Sequence, residues 1–139
     1  MKLSVVGGGQ QAKYIKQRAK SQCFTVLADQ IEGNSAYFPD AIIHIMGGNI
    51  RLPDTPHTAK RAVYFISGNR AVEHAASLHS TLRHQAPLSS GDYTIVCDPT
   101  EQEQYSARQA ARYMKRVAQY LLDQMLSCKN TNSIVVLQP

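Results

Sequence analysis

At 139 residues, 43% of them hydrophobic, the chain is long enough for one domain with its own core and too short for two ordinary ones. Fifteen Lys and Arg against ten Asp and Glu leave a formal charge of +5, which suits an anionic partner without requiring one. No apolar run nears the ~20 residues that span a bilayer, and "MKLSVVGGG" stops far short of a secretory h-region, so neither a membrane protein nor an exported one is expected.

Short β-branched runs alternate with helical patterns from the start. "KLSVV" (2–6) reads as the first strand and a basic helix over 10–22 follows its glycines. "FTVLA" (24–28), "AIIHIM" (41–46), "AVYFIS" (62–67), "YTIVC" (93–97) and "SIVVL" (133–137) read as further strands. Their nearly continuous apolar character is that of parallel strands with helices on both faces. The expected fold is a single α/β domain over 1–139, a three-layer Rossmann-like sandwich with a mostly parallel sheet.

"GGNIRLPDTPHTAK" (47–60) is the long irregular segment between two strands, and segments of that length are often functional. A second helix is expected over 70–85 and a third over 100–128. Thr100 and Glu103 have the spacing of a capping box at the start of the third. On it Ala110, Met114, Val117, Ala118, Leu121 and Met125 share one face, as core or subunit contact. Leu121, Leu122, Met125 and Leu126 together exceed what one sheet face covers, which leads us to expect a homodimer through this helix. Cys23, Cys97 and Cys128 are odd in number and widely spaced, and read as reduced, buried thiols of a cytoplasmic protein.

Gly7-x-Gly9-x-x-Ala12 follows a predicted strand and opens a predicted helix, the context in which G-x-G-x-x-A binds a pyrophosphate. Gly7 permits the tight turn, Gly9 lets the backbone be approached, and small Ala12 lets the helix sit close to the strand. Free N–H groups of the first helical turn then meet the phosphate at the positive end of the helix dipole. A negative φ at Gly9 would let a valine stand there with the fold kept. Asp29 ends the next strand twenty residues after Gly9, where an acid meets an adenosine ribose. The alternative is a purely structural turn, with Asp29 a solvating acid at a strand end.

A second turn of this kind, "FISGNRAVEH", passes through Ser67, Gly68 and Asn69, either polar side chain being placed to cap the following helix. With "MGGN" (46–49, including Gly47) and Asp98 it should meet Gly7 and Gly9 at the carboxyl edge of the sheet, where open α/β sheets bind ligands.

"VVGGGQQAKYIKQRAK…FTVLAD" resembles the start of Rossmann-type dinucleotide-binding domains, and is similar to the NAD-binding part of precorrin-2 dehydrogenases in its "VVGGG" and basic first helix. "DAIIHIMGGN" resembles the fourth-strand region of such domains. The resemblance implies phosphate contacts along Gly7, Gly8 and Gly9 and at the backbone of Gln10 and Gln11, with Asp29 near the ribose and NAD or another nucleotide as ligand. The segment from Gln30 to Asp40 is too short for the usual second crossover, so a regulatory or accessory binding role is expected in place of hydride transfer.

A different class of function stays open. Arg108, Arg112, Lys115 and Arg116 cluster on another face of the third helix, with Tyr105 and Tyr113 at its margin, and such a stripe either binds nucleic-acid phosphates or is a solvated face. No metal is expected: His74, His79 and His84 recur every five residues, which sets successive rings about 140° apart on a helix. His79 reads as a hydrogen-bonded core histidine and His44 as structural. No G-x-S-x-G elbow occurs, and no catalytic residue is assigned.

Overall fold

The computed structural model describes residues 1–7, 9–27, 39–46, 59–85, 92–100, 105–127 and 132–137. Along them run β1 (Lys2–Val6), α1 (Gly9–Lys20), β2 (Thr25–Val26), β3 (Ala41–Ile45), β4 (Arg61–Ser67), α2 (Ala71–Gln85), β5 (Asp92–Asp98), α3 (Ala107–Leu126) and β6 (Ser133–Val136). The strands lie in the order β2-β1-β3-β4-β5-β6, and every neighbouring pair is parallel. The α/β sandwich is thus the observed architecture, with a sheet that is wholly parallel among the described residues.

Alternation along the strands divides the core in two. Leu3, Val5, Ile43, Val63, Phe65 and Val96 point to the face covered by α1 and α3, where they meet Ile15, Ala19, Val117, Leu121 and Leu122. Ala62, Tyr64, Ile66, Ile95 and Cys97 point to the other face, under Ala71, Ala75, Leu78 and Leu82 of α2. Burial on both sides is the physical reason these strands read as unbroken apolar runs.

α2 and α3 each carry the chain one strand onward in the same direction, yet they lie on opposite faces, so their crossovers have opposite hands. α1 steps the other way, from β1 to β2, on the face opposite α2, and so shares the hand of α2. Crossovers between parallel strands are overwhelmingly right-handed, which makes β5-α3-β6 the reversed one. The core accounts for it, because α1 alone would leave Val63, Phe65 and Val96 uncovered. α3 lies beside α1 instead: Gln11 Nε2–H donates to the Met114 carbonyl at 3.0 Å, and Arg18 Nε–H donates to Gln119 Oε1 at 2.8 Å.

α3 begins at Ala107 and not at 100. Ser106 is its N-cap, and the capping box joins Ser106 to Gln109 in place of Thr100 and Glu103. Thr100 lies two residues beyond β5, where its N–H donates to Asp98 Oδ1 at 2.9 Å. A glutamine at the third helical position reaches back to the cap as a glutamate does, so Ser-x-x-Gln prevails. At the other end Arg61 Nη2–H donates to the Gln124 carbonyl at 3.3 Å, placing a cation at the negative end of the helix.

Tyr113, expected at the margin of the basic stripe, is buried instead. Leu121, Leu122 and Met125 are covered within the chain, so the apolar surplus that suggested a dimer shrinks to Leu126, which is 51% exposed. Cys97 is buried as expected, whereas Cys23 is exposed in the turn after α1, and Cys128 lies outside the described residues. No described helix is long and apolar enough to cross a membrane.

Burial pushes the phenols of Tyr64 and Tyr113 well above the ordinary tyrosine value of 10.0, and the neighbouring Asp98 carboxylate raises Tyr113 further. A native pKa above the unfolded one means that the folded state holds the proton more tightly. The stabilisation is therefore intact below the unfolded value and is lost as the pH climbs past it. We expect alkaline unfolding to set in near pH 10 and to move upward in Tyr64→Phe. Circular dichroism against pH checks this, and a wild-type midpoint that the substitution leaves in place counts against it.

Candidate functional site at the carboxyl edge of the sheet

All strands being parallel, their carboxyl ends and the N-termini of α1, α2 and α3 meet at one edge. The chain leaves β1 toward β2 on one side and enters β3 on the other, so the gap between β1 and β3 is the switch point at which open sheets hold ligands. Gly7 and Gly9 lie there. Gly8, Asp29 and Gly47 lie outside the described residues, and nothing here bears on their expected roles.

The two described glycines do different work. Gly7 has φ +128°, and a Cβ on it would stand 2.8 Å from the Ile45 carbonyl oxygen and 2.9 Å from Ile45 Cβ. The close approach of β3 to the end of β1 demands a glycine here, with or without a ligand. Gly9 has φ +86°, yet a Cβ on it would meet no described residue within 4 Å, so among the described residues the space beside the first turn of α1 is open. The negative φ expected there is not found, and a valine would be strained.

Gln10 is exposed, and no acidic side chain stands in the first turn of α1 to offset its free N–H groups and positive dipole end. Gln11, expected at the phosphate, is engaged elsewhere, since its side-chain amide binds the Met114 carbonyl of α3. Ala12 is buried in the core beneath α1, the close helix-to-strand packing that the motif calls for.

Ser67 is the last residue of β4 and pairs in register with Asp98 of β5. Neither Ser67 nor Asn69 caps α2. The turn is closed by backbone, with the Gly68 carbonyl accepting the Ala71 N–H at 3.0 Å and the Gly68 N–H donating to the Asp98 carbonyl at 3.1 Å. The cap position falls on Arg70, whose guanidinium pairs with Glu73 at 3.1 Å. Half-buried Ser67 and exposed Asn69 stay at the edge with their polar groups available.

Asp98 reaches this edge, but its carboxylate faces inward and is 2% exposed. Oδ1 accepts the Thr100 N–H, and Oδ2 accepts the hydroxyl of Tyr113 from α3. Half-buried Tyr105 leans on Tyr113 at a tilt of 51°, with ring centroids 5.7 Å apart. At ~4.8 Å per strand, the edge from Gly7 to Asp98 spans three spacings, about 14 Å. Sequence reasoning missed the Asp98–Tyr113 pair, because helical spacing placed Tyr113 beside the cations and only packing shows it turned inward.

His44 and His79 are structural in their contacts. Buried His44 stacks on Tyr64 at 4.9 Å and 6°, and His79 Nδ1 lies 3.0 Å from the Tyr93 hydroxyl. Arg108, Arg112, Lys115 and Arg116 are all exposed along α3. Comparison of the chain with protein-family models, with curated proteins and with solved structures found no match.

Proposed function

We propose that the protein binds a nucleotide at the carboxyl edge of its sheet, with a phosphate on the first turn of α1, and serves as a regulatory or accessory component. The observation that carries this is Gly9: at the switch point, no described residue comes within 4 Å of where its side chain would stand, beside free helix N–H groups that no acid of the turn offsets. Ser67 and Asn69 supply polar groups along the same edge, and the ring of Tyr105 offers a surface for a base. Among the described residues one strand, β2, lies beyond β1, where the double dinucleotide fold has two, which favours a mononucleotide over NAD.

Valine at Gly9 is no clean test, because the positive φ would strain the fold as well as block the site. Gln10→Glu separates the two effects. A carboxylate in the first turn should stabilise α1 by about 0.3–1 kcal/mol while repelling a bound phosphate. We expect an unchanged or slightly raised Tm together with at least tenfold weaker nucleotide binding. Calorimetry with ATP, a cyclic nucleotide, NAD and NADP checks it. Wild-type protein that binds none of these, or a Gln10→Glu variant that binds as wild type does, overturns the reading.

A further inference from the structure

The charge of the protein is concentrated in one helical layer. Lys13, Lys16, Arg18 and Lys20 of α1 and Arg108, Arg112, Lys115 and Arg116 of α3 face a single acid on these helices, Asp123. Eight of the fifteen cations and one of the ten acids thus sit on two helices, and the rest of the chain, with seven cations and nine acids, is slightly acidic. α1 and α3 are held side by side on one sheet face by the Gln11–Met114 and Arg18–Gln119 hydrogen bonds, so their cations belong to one helical layer, with Arg18 of α1 and Lys115 of α3 lining the seam between them. A shallow groove of about 280 Å³ runs between them, lined by Tyr14, Gln17, Arg18, Ser21, Lys115 and Ala118.

Helix stability does not explain this arrangement. Arg108 stands in the first turn of α3, where the dipole disfavours a cation, and the last turn holds none. Arg108, Arg112 and Arg116 repeat at the i, i+4 spacing that sets like charges against each other. Among the described residues no carboxylate pairs with Lys13, Lys20, Arg108, Arg112, Lys115 or Arg116, and Arg18 bonds a neutral amide. Among the described residues these six cations stand without a carboxylate partner, a field suited to a polyanion.

We infer that the outer surface of the α1–α3 layer docks the phosphodiester backbone of a nucleic acid, independently of any nucleotide at the sheet edge. The apolar sides of both helices are spent on the core, and Leu126 is the one large exposed hydrophobic on either helix among the described residues. A bilayer would find no apolar face to take up, whereas a phosphate backbone needs none.

Fluorescence anisotropy of the full chain with a single-stranded RNA and a DNA duplex, each about twenty nucleotides long, from about 50 to 300 mM KCl, tests this. We expect binding at low salt and a log affinity that falls linearly with log salt. Arg112→Gln with Lys115→Gln should reduce the slope by about 1.4 for the single strand and 1.8 for the duplex, at unchanged circular dichroism. Affinity at about 100 mM salt should fall at least tenfold, whereas exposed Lys2 and Lys60 changed together to Gln should leave it within about twofold. No binding at low salt, equal loss in the two double variants, or binding to phosphatidylserine-containing vesicles without binding to either oligonucleotide overturns the proposal.

Discussion

Gly7→Ala should lower stability by about 3–5 kcal/mol, combining the strain of a side chain at positive φ with overlap against a backbone that cannot move away. A Cβ there stands 2.8 Å from the Ile45 carbonyl oxygen, and Ile45 is held by its pairing with Phe65 of β4, so relief would require opening the centre of the sheet. For a domain of this size such a loss lowers Tm by roughly 10 °C or more. Gly9→Ala should cost about 1–2 kcal/mol, since its φ is also positive but no described residue crowds it. Urea titration of both variants checks the contrast. Equal costs at the two positions would mean that β1 and β3 do not approach as described.

Tyr113→Phe should cost about 2–3 kcal/mol, because it leaves a buried carboxylate oxygen of Asp98 without its hydroxyl partner. The same contact fastens the end of β5 to α3, so amides in the first turns of α3 should exchange faster in the variant. Asp98→Ala should be similarly damaging, and the double variant should cost less than the two single losses added, with a coupling of about 1–3 kcal/mol. Additive losses, or a single loss below about 0.5 kcal/mol, would show that the two groups do not stabilise each other.

Much of the secondary structure was legible before any packing was known. Five of the strands lie within a residue or so of the apolar runs that announced them, because glycine, proline and polar residues bound those runs on either side. β2 is the exception. It is reduced to Thr25–Val26 at the sheet edge, where pairing on one side alone sustains less of an apolar run. α1 and α2 end within about two residues of expectation, while α3 starts seven residues late, since two capping boxes were available and sequence spacing did not rank them.

By itself the sequence determined the α/β class, the alternation of strands with helices, the small Ala12 beneath the first helix and the cations along the third, all of which rest on residues near each other in the chain. Only the tertiary structure decided the strand order, the reversed crossover that sends α3 to the face of α1, and the placing of both cation-rich helices in one layer. It also decided that Gly7 serves the approach of β3 while no described residue crowds Gly9, that Gln11 is spent on α3, and that Tyr113 turns inward to Asp98. The physical reason is the same in each case. Periodicity states which side chains share a face, but what that face meets is settled by contacts between segments distant in sequence, whose energies no local pattern encodes.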